Sequence, residues 1–301
     1  MKIGYPCINR SIDCRANHTF RLKSYSEQRL IETVEQNLTC LFKILRYNIR
    51  KNLYFFRITS DLVPFASHPV NKYKWQEHFA RQFTEIGEFI RRQHIRISMH
   101  PDQFTLINSP DPVIFTRSVA ELKYHAEVLD LMHLDLSAKI QIHVGGVYKD
   151  KFKSARRFVT RYRKLPKKVL SRLVVENDDK SYSTKDCLRI HSDTGIPVLF
   201  DTFHHELYNN GETIANCLKE TSRTWQKQDG IPMLDYSHQR AGSAKGAHAE
   251  TIQMRIFRKF LEQSKPHDFD IMLEIKDKER SALRAVRIAQ ADARFQTSSR
   301  L

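Results

Sequence analysis

Five apolar runs in this chain stop on a side chain that binds metal ions. Leu173-Val174-Val175 ends in Glu176, Ile140-Gln141-Ile142 in His143, Val198-Leu199-Phe200 in Asp201, Ile97-Ser98-Met99 in His100 and Ile271-Met272-Leu273 in Glu274. Short β-branched apolar runs read as buried strands. A carboxylate where such a strand stops is costly unless it binds a metal, pairs or meets water. Carboxylates and imidazoles are the ligands that hard and borderline divalent ions take. Asp201-x-x-His204 adds a histidine just past its run, Asp235 ends another run, and His68 and His248 fall in loops on the same side of this layout. That many donors exceeds the need of one ion. Two or three ions bridged by a carboxylate would use them, and Glu176, central in the series, is the natural bridge. Such a cluster activates a bound water, stabilises a leaving oxygen and aligns an in-line displacement, which suits phosphodiester hydrolysis.

Taken singly, each residue has a plainer reading. A buried histidine is more often a satisfied core group than a ligand, and an aspartate at a strand end often caps the following helix. The joint pattern carries the argument, because acids and histidines end nearly every strand at the same end. The elements that must position them are predicted as strands over 2–5, 53–58, 94–99, 139–143, 173–176, 197–201, 231–235 and 270–274. Helical segments between and after them start at 26 and cover 75–92, 112–134, 149–168, 184–191, 212–227, 248–263 and 277–293. Strict alternation of eight strands with helices over 301 residues predicts one α/β domain. The expected form is a single (β/α)8 TIM barrel with its metal site at the C-terminal mouth of the strands. An open doubly wound sheet would not gather five strand-end ligands around one point. The domain is expected over 1–295, with 296–301 as a frayed tail.

Composition narrows the partner. Lys plus Arg number 50 against 34 for Asp plus Glu, a formal net charge of +16. That excess favours an anionic partner, nucleic acid first. It is densest between Lys149 and Lys168, where ten basic residues stand against one acid, so Lys151 and Lys153 are candidate phosphate contacts. Walker A, GxSxG, HExxH and cysteine–histidine nucleophile signatures are absent. The five cysteines form no CxxC pair, and an odd count without a zinc spacing suggests a reducing compartment and mostly structural thiols. With no apolar signal segment or membrane-length run, the expectation is a soluble, non-secreted, cytoplasmic protein associated with the nucleoid.

A set of motifs extends the reading. They are Gly4-Tyr5 with Asn9, Phe56-Arg57-Ile58-Thr59-Ser60, Ser67-His68-Pro69, Ser98-Met99-His100-Pro101-Asp102-Gln103, Ile142-His143 with Gly145-Gly146, Val175-Glu176-Asn177-Asp178, and Asp201-Thr202-Phe203-His204-His205. In combination, and over nearly the whole chain to about Glu274, the sequence resembles the UV damage endonuclease family, a relative of the endonuclease IV fold. The resemblance implies a metal-dependent enzyme that nicks DNA 5′ to ultraviolet photoproducts (cyclobutane dimers, 6-4 photoproducts) and some other lesions, leaving a 3′ hydroxyl. Carried over by motif, the implied ligands are His100, His143, Glu176, Asp201, His204, His248 and Glu274, with His68 close to the metals or the scissile phosphate. Two or three divalent ions are expected, manganese first, with zinc or magnesium as alternatives. Some family members carry a lysine, which can be modified, and then a histidine in the seventh strand. Met233 and Asp235 stand in those places, so Asp235 is expected to ligate instead and, with Glu176 and His68, to belong to the catalytic set. Tyr5 and Asn9 would lie beside the flipped lesion.

Gln103 and Phe104, three and four residues past His100, must sit at the rim of the mouth. An apolar wedge between base steps holds a kinked duplex open, so this pair is expected to probe the DNA. The plainer alternative packs Phe104 beneath its loop. The partner expected is damaged double-stranded DNA, met by a monomer. Other readings are an endonuclease IV-like abasic-site nuclease and a metal-dependent sugar isomerase, whose small substrate gives no reason for the positive charge. A non-catalytic DNA-binding protein would leave the strand-end acids without a purpose.

Overall fold

The computed structural model describes residues 1–296. Among them, eight parallel strands close into a barrel in chain order: β1 (Ile3–Pro6), β2 (Phe55–Ile58), β3 (Arg96–Met99), β4 (Lys139–His143), β5 (Leu173–Glu176), β6 (Val198–Asp201), β7 (Met233–Tyr236) and β8 (Asp270–Leu273). The eight-stranded barrel expected from the alternation is therefore the observed fold. The expected frayed tail falls mostly outside the described residues, although the Gln296 amide donates to the Met1 carbonyl at 3.0 Å.

Local chemistry explains the outer helices. The helix Glu27–Arg50 starts where the Ser26 side chain accepts the Arg29 amide, and it buries Leu30, Val34, Leu38, Leu41 and Leu45 against the barrel. The helix Pro112–Leu131 starts with proline in its first turn, and the Asp111 carboxylate accepts the Val113 amide at 2.7 Å. The expected 75–92 helix is broken into Trp75–His78 and Ala80–Arg92 at Phe79. The basic 149–168 segment forms Lys151–Tyr162 and then the short turn Lys167–Leu170, because Pro166 interrupts it.

Period-two alternation stacks the barrel interior in layers. Phe55, Val174, Leu199, Met233 and Met272 form a buried apolar plug. Two residues further along each of those strands stand Arg57, Glu176, Asp201, Asp235 and Glu274. Register brings neighbours level, with His143 beside Glu176 and Asp201 beside Asp235. The polar layer therefore lies on a dry floor at the C-terminal end of the strands.

Three of the five cysteines are free thiols, and the other two form a bond that the expectation of a reducing compartment did not include. Cys14 and Cys40 are joined, with Cα atoms 5.2 Å apart, while Cys7, Cys187 and Cys217 are free. The N-terminal loop folds back over the helix Glu27–Arg50 and brings together two residues 26 apart in sequence, which no local spacing rule detects. Among the described residues, no helix is long and apolar enough to cross a membrane.

Candidate metal centre

Glu176 closes β5 with its side chain 1 % exposed and three imidazoles around it. Its carboxylate oxygens lie 3.2 Å from His204 Nδ1, 3.5 Å from His100 Nε2 and 3.8 Å from His143 Nε2. Burial alone would push this carboxyl up, but the neighbouring His143, His100 and His204 outweigh it and hold it well below the ordinary carboxylate range. The same field acts in reverse on His204. Burial works against its charge, yet Asp201 and Glu176 lift its pKa to about 11. Asp201 is raised to about 7, chiefly by burial, with His204 opposing and Glu176 and Glu274 adding to the rise. Too many acids share one dry space, and protons or cations must settle among them.

Three groups of ligand atoms lie within 4.8 Å of one another: His100, His143 and Glu176; Glu176, Asp201 and His204; and Asp201, Asp235 and Glu274. The donors are prepared for a cation in two ways. First, His100 Nδ1 lies 2.8 Å from the Pro101 carbonyl, His204 Nδ1 lies 3.0 Å from the Asn177 carbonyl, and His248 Nδ1 lies 2.9 Å from the Glu274 carbonyl. A carbonyl only accepts, so Nδ1 carries the hydrogen in each ring. For His100 and His248 a neutral ring presents its Nε2 lone pair, the arrangement that metal-binding histidines use, whereas His204, whose Nδ1 also lies against Glu176 and Asp201, must first give up the extra proton those acids stabilise. Second, Asp201 Oδ2 and His143 Nδ1 are buried without a hydrogen-bond partner, an arrangement expected of atoms that await an ion. The residues fit a divalent cluster.

Supporting contacts fix these donors. Asp201 caps the helix Thr202–Leu207, and its Oδ1 accepts the His204 amide at 2.7 Å, which explains the three-residue spacing of the pair. Asn177 clasps the Asp201 main chain, accepting its amide at 2.9 Å and donating to its carbonyl at 3.0 Å. Gly145, with φ of +105°, turns the chain after His143; a Cβ there would collide with Asn108 Oδ1.

Residues 1–298 match the UV-endonuclease UvdE family. The chain belongs to that family. Its UvdE relatives include the UV DNA damage endonuclease of Clostridium perfringens (strain 13 / Type A), 39 % identical over 288 residues, which cover 95 % of this chain and 70 % of that protein. The UV DNA damage endonuclease of Bacillus thuringiensis subsp. konkukian (strain 97-27) is 33 % identical over 296 residues, 95 % of this chain and 93 % of that one. The crystal structure of SacUVDE superposes with a TM-score of 0.93 at 45 % identity, covering 96 % of this chain and 98 % of the other. Endonuclease IV from Thermus thermophilus shares the fold, with a TM-score of 0.55 at 16 % identity over 84 % of this chain and 93 % of that one.

Within this UvdE-family chain, the structure brings together His100, His143, Glu176, Asp201, His204, Asp235 and Glu274. His248 stands at their edge, its ring centre 6.3 Å from that of His204. His68 lies apart, exposed in the loop after β2, with Nδ1 accepting the Val70 amide at 3.0 Å. His238, three residues past Asp235, accepts the Gln253 amide at 3.1 Å in a loop-closing role.

Several expectations change in detail. Tyr5 and Asn9 do not present themselves at the open mouth. Both are buried, Asn9 donating to the Tyr5 hydroxyl at 2.7 Å and Tyr5 donating to Asn48 at 2.7 Å. Lys151 is tied to Asp186 at 2.6 Å and to the Tyr208 hydroxyl at 3.2 Å, whereas Lys153 stays exposed beside Asp150. Phe104 is 73 % exposed, so its packing beneath the loop is not observed. Phe152, on the basic helix, is 71 % exposed beside the Arg156 guanidinium.

Arg57 and Gln141 belong to the centre and escaped sequence reasoning. Gln141 donates to Glu176 at 2.8 Å and to Asp235 at 2.7 Å, and Arg57 donates to Asp235 and to Glu274. The signal was available: Arg57 is the lone polar residue of its apolar strand, and Gln141 stands two residues before His143 on the same alternation. Glu274, raised by burial but lowered further by Arg57, titrates at about 2.

Proposed function

We propose that this chain is a metal-dependent DNA repair endonuclease that hydrolyses the phosphodiester 5′ to ultraviolet photoproducts and leaves a 3′ hydroxyl. The observation that carries the reading is buried Glu176 set among three imidazoles, together with membership of the UvdE family. His100, His143, Glu176, Asp201 and His204 would hold the ions, with His248 and Glu274 completing the shell. Divalent ions there supply an activated water and charge stabilisation for the leaving oxygen of an in-line displacement. Manganese suits the mixed imidazole and carboxylate set, and zinc and magnesium are the alternatives.

The protein's own groups do the positioning. Gln141 holds one Glu176 oxygen by a 2.8 Å hydrogen bond, which keeps that carboxylate turned toward the histidines. The plug of Phe55, Val174, Leu199, Met233 and Met272 excludes water from below. Asp102 accepts the Phe104 amide at 2.8 Å and holds the rim loop so that Gln103 and Phe104 face outward, where they fill the gap left by an extruded lesion. His68 and Phe104 line the same groove of the rim, a position from which His68 meets the DNA backbone. Exposed Lys153 and Phe152 continue the surface along the next loop and helix, a basic and aromatic track for the flanking duplex. We infer that the enzyme acts in the cytoplasm, at the nucleoid, as a monomer on damaged double-stranded DNA.

Nicking of supercoiled plasmid tests the reading. Irradiated plasmid should be nicked and untreated plasmid spared, with the activity removed by chelation. Equal nicking of both plasmids would contradict lesion recognition. Strong cleavage of an abasic duplex with none of irradiated DNA would favour an abasic-site nuclease.

A further inference from the structure

The three candidate groups at the mouth are not equivalent. Two of them, around Glu176, contain only histidines and acids. The third, Asp201, Asp235 and Glu274, already has a permanent cation pressed against it. Arg57 rises from β2 two residues above the plug residue Phe55, and its side chain is 4 % exposed. Its Nη2 donates to both oxygens of Asp235, at 2.9 and 2.7 Å, and to Gln141 Oε1 at 2.7 Å. Its Nη1 donates to Glu274. Asp235 Oδ2 also accepts from Gln141 Nε2 at 2.7 Å, so neither oxygen of this carboxylate is unengaged.

The planar guanidinium matches this geometry well. It offers several fixed donors to two carboxylates at once, and it never loses its charge under ordinary conditions. An ion entering the third group would take oxygens away from a buried arginine and then stand against its positive charge. Asp235 is thus in place as a carboxylate but committed to a partner from its own chain.

We propose that Arg57 is a resident cation that fills the third position of the mouth and limits the chain to two divalent ions, one on each side of Glu176. This rests on the metal-nuclease reading above and decides between its two-ion and three-ion forms. It also gives Asp235 its role: positioning Arg57 and Gln141, and through Gln141 the bridging carboxylate, rather than holding metal itself.

The test is ion stoichiometry, which needs no catalysis. The chain is stripped with chelator, dialysed to equilibrium against manganese and assayed by elemental analysis. The parent protein should saturate at two ions per chain, Arg57→Lys at two, and Arg57→Met at three, because the vacated carboxylates regain a need for charge. Three ions on the parent protein, or no gain in a folded Arg57→Met variant, would overturn the assignment. If Arg57→Met does not fold, anomalous diffraction from manganese-soaked crystals of the parent protein decides. Peaks flanking Glu176 with none between Asp235 and Glu274 support the proposal, and a peak between those two carboxylates refutes it. A parent protein that binds two ions but nicks no irradiated DNA would remove the nuclease reading and leave the role of Arg57 standing. A parent protein that binds none would remove both.

Discussion

The two ends of the barrel treat buried charge in opposite ways. At the N-terminal end of the strands, Lys139 meets Asp229 at 2.5 Å, Arg96 meets Asp270 at 3.5 Å, and Arg172 meets Asp130 at 2.8 Å. Each of these acids has a basic partner, and main-chain carbonyls take further donors, as Ser171 does for Lys139 and Asp229 for Arg96, whose Nε alone stays buried without a partner. Among Glu176, Asp201, Asp235 and Glu274 at the C-terminal end, the last two are in direct ion-pair contact with one arginine, Lys278 stands near Glu274, and the rest of the balance falls to histidines whose charge is conditional. The same period-two alternation builds both layers, from Lys139 through Gln141 to His143 and from Asp270 through Met272 to Glu274. The difference lies in closure. A paired network holds the barrel together, while an unbalanced one keeps a site ready for ions.

Substitution should separate the two ends, with the largest effect at the mouth. Glu176→Gln keeps the shape and removes the shared charge. Incision of irradiated DNA should fall by about 100-fold or more, since even groups that only support metal ligands cost roughly 10–100-fold when altered. The melting temperature of the metal-free protein should fall somewhat, since the three imidazoles lose the charge that holds the Glu176 carboxyl low. Single-turnover incision with a parallel thermal melt measures both, and a stable, metal-loaded variant with parental incision would show that Glu176 is not the bridge.

At the closed end, Lys139→Met leaves Asp229 buried without its partner. Breaking such a pair costs about 3–5 kcal/mol. Denaturant unfolding should show that loss, while metal content and incision per folded molecule stay near parental. Lost metal with unchanged stability would erase the distinction between the ends.

His125 offers a third case, a buried ionisable group kept neutral. It lies in the helix behind the rim, with Nδ1 2.8 Å from the Glu121 carbonyl and Nε2 2.9 Å from Ser60 Oγ. Burial, with His100 adding, lowers its pKa from 6.5 to about 4. The unfolded chain therefore takes up a proton that the folded chain refuses. Stability from this residue is present above about pH 6.5 and is lost as pH falls from there through about pH 4, a change on the order of 3 kcal/mol. The metal-free protein should show that slope in denaturant unfolding across the interval, and His125→Gln should flatten it. An unaltered slope in the variant would assign acid sensitivity to the mouth instead.

The smallest effect belongs to the rim. Phe104→Ala removes an exposed ring, so stability and metal content should not change, while damaged over undamaged binding weakens by the roughly 1–3 kcal/mol of one stacking contact. Competition binding with the two duplexes reads this directly. A lowered melting temperature with lesion preference kept would place Phe104 in the packing after all.

Much of this is legible in the sequence. Strand ends at Glu176, Asp201, Glu274, His100 and His143 followed from apolar runs that stop on ligand residues, and the eight-fold alternation implied a barrel. What escaped was whatever depends on cross-barrel contact. Arg57 reads locally as one charge in an apolar strand, and nothing nearby in sequence reveals Asp235 or Glu274, which lie 178 and 217 positions away. Asp235 looked like a free ligand for the same reason. The burial of Tyr5 and Asn9 depends on Asn48, and the Cys14–Cys40 bond depends on how a loop lies over a helix.

The central claim is that the unbalanced mouth works through bound divalent ions on damaged DNA. The most direct measurement uses a duplex with one site-specific cyclobutane dimer, labelled at its 5′ end, and protein stripped of metal. Stripped protein should leave the strand intact. Restoring manganese should yield one fragment that ends just 5′ to the dimer and that a polymerase can extend. Undiminished incision by the stripped protein, or equal cutting of the undamaged duplex, would contradict the account.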